Sequence, residues 1–70
     1  MKFPRTYADL DNAPWCTGYE LPDSTGGCHI YIDFRWLPPG DYISPYGETS
    51  LKDALKDLKS LWPLIRKPIR

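Results

Sequence analysis

Three side chains in this sequence are of the types that carry metal-binding or nucleophilic chemistry: Cys16, Cys28 and His29. A structural zinc ion takes four ligands, commonly with a C-x-x-C spacing, and this set offers three ligands without that spacing. Cys28 and His29 are adjacent, and adjacent residues on a strand point to opposite faces, so they are poorly placed as a thiolate and imidazolium pair. The pattern favours a small buried Cys28 and a solvated His29, and we predict no metal, no cofactor and no catalytic site.

The two cysteines flank a cluster of turn-forming residues, Pro22 to Gly27, which is typical of a hairpin loop. A disulfide that closes a loop of about a dozen residues contributes on the order of 3 kcal/mol when its geometry is unstrained. Two buried thiols in contact agree equally well with this spacing. The sequence leaves the choice between the disulfide and the two thiols open.

Other catalytic patterns are missing from the sequence. Gly26 and Gly27 precede a predicted strand, whereas a phosphate-cradling glycine loop leads into a helix. The acidic residues fall in turns and on outer faces, where solvation and turn chemistry explain them. We therefore predict that the protein is not an enzyme and that its function resides on a surface.

The clearest structural element is the segment from Cys28 to Trp36, in which apolar and polar residues alternate strictly. Period two is typical of a strand in an antiparallel sheet with one solvated face. The apolar side comprises Cys28, Ile30, Ile32, Phe34 and Trp36. Trp15 to Leu21 is predicted as a first strand and residues 41–46 as a third. Pro45 lacks an amide hydrogen, which places the third strand at an edge or ends it near Ser44.

From Leu51 the apolar period becomes that of a helix, which Thr49 or Ser50 is expected to cap and Pro63 to end. Its apolar stripe comprises Leu51, Ala54, Leu55, Leu58, Leu61 and Trp62. We expect this stripe to pack on the sheet against Ile30, Ile32, Phe34 and Trp36.

These elements predict a single α+β domain over residues 1–70, with a three-stranded antiparallel sheet and one C-terminal amphipathic helix on one face, in the order βββα. Its parts are an irregular N-terminal arm with at most one helical turn (1–14), the sheet (15–47), the helix (50–62) and a basic tail (63–70). No apolar run approaches the roughly 20 residues of a membrane span, and no secretion signal is evident, so the chain is predicted to be cytoplasmic.

Three surfaces are candidates for binding. Tyrosine and arginine are enriched at interface hot spots, and the predicted outer sheet face offers a set of partner-binding residues: Tyr31, Asp33, Arg35, Tyr42 and Tyr46. An exposed strand edge could also pair with a second copy of the chain and form a homodimer.

The third candidate surface is basic. Residues 1–51 carry three Lys or Arg against seven Asp or Glu, whereas residues 52–70 carry six against two. This asymmetry predicts an anion-binding end formed by Lys59, Arg66, Lys67 and Arg70.

The sequence therefore predicts a non-catalytic protein–protein interaction module, with a nucleic-acid-binding accessory protein as the alternative. No motif identifies a family. In size, aromatic content and polarised surface the chain resembles small virus-encoded or prophage-encoded inhibitors of host protein complexes, including anti-CRISPR proteins. That resemblance implies action in a host cytoplasm.

Overall fold

The computed structural model of the protein describes residues 2–22 and 26–68. The regular elements are α1 (Tyr7–Asp11), β1 (Cys16–Tyr19), β2 (Cys28–Ile32), β3 (Tyr46–Gly47) and α2 (Leu51–Leu61), with 3-10 turns at Phe34–Trp36 and Trp62–Leu64. The strands form one antiparallel sheet in the order β1-β2-β3, which makes β1 and β3 its edges. The predicted α+β class, a three-stranded antiparallel sheet with a C-terminal helix, is confirmed. Residues 23–25 of the predicted hairpin loop lie outside the described residues.

β2 is shorter than predicted because the chain turns at Asp33. The Asp33 carboxylate accepts the backbone N–H of Arg35 at 3.0 Å and caps the 3-10 turn Phe34–Trp36. This turn interrupts the alternation, and Phe34 is 81% exposed, whereas Ile30 is fully buried. The prediction that Phe34 packs in the core against the helix is therefore wrong.

The third strand also differs from its prediction. Residues 41–45 form no strand, and β3 comprises only Tyr46 and Gly47. Pro45 cannot donate a hydrogen bond to a neighbouring strand, but its carbonyl accepts the N–H of Ile30 at 3.0 Å. Pro45 therefore precedes the strand instead of ending it.

The register of the β1 and β2 pairing separates the two cysteines. Cys16 lies opposite Ile32, while Cys28 is at the other end of β2. At about 3.3 Å per residue the two ends of β2 are ~13 Å apart, whereas disulfide-bonded Cα atoms lie within about 7 Å. Both cysteines are free thiols and Cys28 is fully buried. The predicted disulfide and the predicted contact between two thiols are both wrong.

The N-terminal segment, predicted as an irregular arm, contains the short helix α1. The Thr6 hydroxyl accepts the N–H of Asp9, and the Asp9 carboxylate accepts the N–H of Thr6, both at 3.2 Å. This reciprocal capping box satisfies two backbone donors that a helix start would otherwise leave unpaired. Leu10, which α1 presents to the core, is only 2% exposed.

The second helix follows the predicted stripe. The Ser50 hydroxyl accepts the N–H of Asp53 at 3.4 Å and caps α2. Ala54 and Leu58 face the core and are fully buried. After α2 the chain returns to the core and to the 3-10 turn Phe34–Trp36, because Ile65 is buried and the N–H of Arg66 donates to the carbonyl of Trp36 at 2.8 Å. The C-terminal segment is thus packed against the domain at least as far as Arg66.

The core joins residues from every part of the described chain. Its fully enclosed members are Leu10, Trp15, Cys28, Ile30, Ala54, Leu58 and Ile65. Trp62 packs edge to face on Trp15 with ring centroids 5.5 Å apart, and in the same way on Phe3 at 5.0 Å. Aromatic rings therefore connect the N-terminal segment to the end of α2.

A close backbone approach brings β3 against α2 at Gly47. A Cβ atom at this position would collide with the carbonyl oxygen of Ser50 and the amide nitrogen of Ala54. Both are backbone atoms of the helix start, which cannot rotate away as a side chain would. The absence of a side chain at Gly47 therefore sets how closely the helix sits on the sheet.

Leu58→Ala is expected to reduce the free energy of unfolding by about 2–5 kcal/mol, because it leaves a cavity under the centre of α2. Lys56→Ala, on the exposed face of the same helix, should change it by less than about 0.5 kcal/mol. Urea denaturation followed by circular dichroism measures both. An equally small change in Leu58→Ala would show that the helix packs differently.

Gly47→Ala should destabilise the protein by about 1–3 kcal/mol or more, because the added methyl group must push α2 away from β3. Gly18→Ala serves as the matched control, since a Cβ there meets no atom within 4 Å. Thermal melts of the two variants should differ clearly, and equal melting temperatures would contradict the close approach at Gly47.

Candidate interaction surfaces

The outer face of the sheet carries a connected polar and aromatic cluster, the outer-face cluster, formed by Glu20, His29, Tyr31 and Tyr46. The Tyr31 hydroxyl donates to Glu20 Oε2 at 2.9 Å, and His29 Nδ1 lies 3.1 Å from Glu20 Oε1. The His29 ring stacks with Tyr31 at 6.1 Å between centroids and contacts Tyr46 at 4.7 Å. The hydrogen bond to Glu20 raises the pKa of the Tyr31 hydroxyl, because ionisation would remove the proton that Tyr31 donates.

Strand pairing explains why these side chains meet. Glu20 donates its backbone N–H to the carbonyl of His29 at 2.8 Å, and Tyr46 lies opposite His29 on the other side of β2. Residues opposite each other in adjacent strands project from the same face of a sheet. Tyr31 and Tyr46, predicted as partner-binding residues, are both brought to this face with 38% and 39% exposure.

Asp33 and Arg35 form an ion pair that belongs to the 3-10 turn. Arg35 Nη2 donates to Asp33 Oδ2 at 2.6 Å, and Arg35 Nε donates to Oδ1 at 3.1 Å. Hydrogen bonds from the guanidinium, and from the backbone N–H of Arg35, hold the pKa of Asp33 below its usual value. The carboxylate in turn raises the pKa of Arg35. Asp33 is only 9% exposed. Of these two predicted partner-binding residues, Arg35 is presented to solvent and Asp33 is directed into the turn.

Tyr42, another predicted partner-binding residue, lines a groove of about 510 Å³ at the end of β2, which we call the loop groove. Its walls include Tyr31, Phe34, Leu37, Tyr42, Ile43 and Leu61. Phe34 is 81% exposed and Ile43 is 88% exposed. The Tyr42 hydroxyl donates to the carbonyl of Pro38 at 3.0 Å, which ties the loop back onto itself.

The sequence did not predict that Phe34 and Ile43 lie on the surface. Phe34 continues the apolar alternation of β2, so its type and position indicate burial. Ile43 lies within residues 41–46, where a strand was expected. The Asp33 capping position before the turn is the one sequence signal that could have exposed Phe34, since Asp favours such positions over strand interiors.

Two further clefts lie beside Trp36, and we call them the Trp36 clefts. One of about 460 Å³ is bordered by Trp62 and Pro63, and one of about 300 Å³ by Arg35 and Pro38. Both clefts are also bordered by Trp36, Arg66 and Lys67.

The predicted anion-binding residues are only partly brought together. Arg66 and Lys67 meet at the Trp36 clefts, whereas Lys59 is exposed on α2 and lines neither cleft. Arg70 lies outside the described residues. Trp36 was expected to face the core; it does pack against the core, but it is only half-buried and also borders both clefts.

The two thiols occupy shielded positions. Burial raises the pKa of Cys16, whose thiol donates to the carbonyl of Gly18 at 3.3 Å. The protonated thiol is the weaker nucleophile. Cys28 accepts a hydrogen bond from the Tyr7 hydroxyl at 3.8 Å. Within residues 2–22 and 26–68, no three His, Cys, Asp or Glu side chains are grouped in a way that could hold a metal ion.

No protein-family model, no curated protein and no solved structure matches the chain. Among the described residues, no helix has the length and apolar composition needed to cross a bilayer.

The ion pair of the turn predicts a pH dependence. The folded-state pKa of Asp33 lies below its unfolded value of about 3.9. Its contribution to stability is therefore fully present above about pH 4 and is lost as the pH falls through the folded-state value. Asp33→Asn should be less stable than the native chain at pH 7, and this difference should narrow towards pH 2.

Urea denaturation at a series of pH values measures that difference. Arg35→Gln provides a matched variant, because it removes the guanidinium but keeps the backbone N–H that Asp33 accepts. Arg35→Gln should also be less stable than the native chain at pH 7. This difference in the free energy of unfolding should be smaller than that of Asp33→Asn and should likewise narrow towards pH 2. A difference between Asp33→Asn and the native chain that stays constant with pH would contradict the role of the ion pair.

Proposed function

We propose that the protein is a non-catalytic interaction module that binds a partner protein through the loop groove. The observation that carries this proposal is the exposure of Phe34 and Ile43, at 81% and 88%, along one groove. A chain this short buries only about 60% of its unfolded surface, so large apolar side chains are valuable in its core. Two of them left in solvent beside a concave surface are typical of a binding site.

Two of the side chains that line the loop groove are also held in place by hydrogen bonds. Tyr31 and Tyr42 line it with rings whose hydroxyl groups are already hydrogen-bonded, to Glu20 and to the Pro38 carbonyl. Tyrosines restrained in this way lose little conformational freedom when a partner binds. The Asp33 and Arg35 ion pair fixes the turn that presents Phe34.

A domain of this size that works by binding alone suits an inhibitor, which acts by covering a surface of its partner. We place this activity in the cytoplasm of a host cell, where the free thiols Cys16 and Cys28 remain reduced. The size and aromatic content that it shares with small viral and prophage inhibitors support this part of the proposal.

The groove can be tested by site-specific photo-crosslinking. Benzoylphenylalanine at position 34 is expected to crosslink to one protein in host lysate, and the same probe at position 21 is not. Leu21 is a suitable control because it is 61% exposed but follows β1, at the opposite end of the hairpin. Crosslinking of the same proteins at both positions would contradict a partner site in the groove.

Affinity capture provides the matched loss-of-function test. Phe34→Ala combined with Ile43→Ala should abolish capture of the crosslinked protein, since both apolar contacts are removed. Because both residues are exposed, the melting temperature should change little. Undiminished capture by this folded double variant would exclude the loop groove as the binding site.

A second candidate function, nucleic-acid binding by the basic end, is favoured by one specific observation. Arg66 and Lys67 lie together beside the partly exposed ring of Trp36. Neighbouring cations and aromatic rings are the combination that contacts phosphates and bases.

A further inference from the structure

The Trp36 clefts are built on a fixed backbone. The N–H of Trp36 donates to the carbonyl of Asp33 at 2.9 Å, and the carbonyl of Trp36 accepts the N–H of Arg66 at 2.8 Å. Ile65, immediately before Arg66, is 1% exposed and anchors this part of the chain in the core. The clefts therefore lie between two segments that are hydrogen-bonded to each other.

The aromatic wall of the larger cleft is also held in place. Trp62 contacts Trp15 at an interplanar angle of 77° and Phe3 at 83°, so two edge-to-face contacts restrain its ring. Trp36 and Trp62 both line this cleft, which has a volume of about 460 Å³. Its size falls within the range of about 300–1,000 Å³ that is typical of ligand sites. The cleft thus offers flat apolar surfaces that need no rearrangement.

The charge around both clefts has one sign. Arg35, Arg66 and Lys67 line them, and no carboxylate among the described residues does. The Arg35 guanidinium is paired with Asp33, but its side chain remains 67% exposed and available to a second acceptor. An anionic ligand that carries a flat ring complements both the charge and the aromatic surfaces of these clefts.

From this juxtaposition, and resting on the second candidate function, we propose that the Trp36 clefts bind single-stranded nucleic acid. A base packs against Trp36 in the cleft shared with Trp62, and the adjoining phosphates contact Arg66 and Lys67. Proteins that bind single strands combine a basic groove with aromatic rings on which bases stack. In a duplex the bases are stacked on one another and are not available to Trp36.

An acidic peptide is the competing ligand of the same charge. Its carboxylates would pair with Arg66 and Lys67, but an acidic residue itself has no ring to stack on Trp36, whereas every nucleotide joins a phosphate to a base. The aromatic wall is what favours a nucleobase over a peptide at this site.

The test uses the full chain and a labelled oligothymidylate in a fluorescence anisotropy titration, with a duplex of the same length as the comparison. We expect the single strand to bind more tightly than the duplex and to quench tryptophan fluorescence. Contacts of Arg66 and Lys67 with two phosphates predict a logarithmic salt dependence with a slope of about −1.4, at roughly −0.7 per phosphate for single strands.

Two double variants that each remove two positive charges distinguish binding at the Trp36 clefts from general electrostatic attraction. Arg66→Ala with Lys67→Ala should weaken binding by about 10-fold or more. Lys52→Ala with Lys56→Ala removes the same charge from the exposed face of α2 and should have a much smaller effect. Trp36→Leu should weaken binding by several-fold because it removes the ring on which the base packs, and Trp36→Phe, which keeps an aromatic ring, should retain most of the affinity.

Each contrary outcome overturns the site in a distinguishable way. Equal losses of affinity in the two double variants, or equal affinity for duplex and single strand, would exclude the Trp36 clefts as the binding site. Nucleic-acid binding by the protein would still stand. Polyglutamate binding as tightly as the oligonucleotide would assign the clefts to an acidic peptide. No binding of oligonucleotide at low salt would exclude both this site and the second candidate function, while the loop groove would be unaffected.

Discussion

The carboxylate of Asp33 determines where the sheet ends and which side chains reach the surface. It accepts the backbone N–H and the guanidinium of Arg35, while the Asp33 N–H donates to the carbonyl of Trp15 at 2.7 Å. One nearly buried residue thus closes the end of the β1 and β2 pairing and starts the 3-10 turn. The turn carries Phe34 into the loop groove and brings Trp36 beside Arg66. Both candidate surfaces therefore depend on the hydrogen bonds of a single carboxylate.

The rest of the architecture compensates for a short sheet and a small core. β3 has only two residues, so α2 is held on the sheet mainly by burial of Ala54 and Leu58 and by the close approach at Gly47. The chain before β1 and the chain after α2 complete the enclosure, because Leu10 and Ile65 are buried and Trp62 packs between Phe3 and Trp15. Segments outside the regular sheet and helix thus supply much of the core, as expected for a domain with limited area to bury.

The periodicity of apolar residues was sufficient to predict the buried side chains of α2 and of the middle of β2. The stripe containing Leu58, the cap at Ser50 and the inward position of Ile30 are all present in the structure. Phe34 and Trp36 could not be placed in this way, because a hydrogen bond from Arg35 to Asp33 ends the strand without changing the alternation of residue types. The positions of Cys16 and Cys28 depended on strand register, which spacing along the chain does not specify. The same limits applied to the surfaces: Tyr31 and Tyr42 were predicted to be exposed from their residue type and both line the loop groove, whereas Ile43 was assigned to a strand that residues 41–45 do not form.

The three-residue turn Phe34–Trp36 has a mechanical consequence, since its first residue lines one surface and its last residue lines another. Only Arg35 separates them, and the turn is braced at one end by Asp33 and at the other by the carbonyl of Trp36. A molecule that stiffened the turn from either surface would reduce the freedom of the side chain on the opposite surface. Thermodynamic linkage makes any such effect on affinity reciprocal. In this small domain, the two neighbouring candidate surfaces thus share one short turn, so a substitution that alters the turn is expected to affect both.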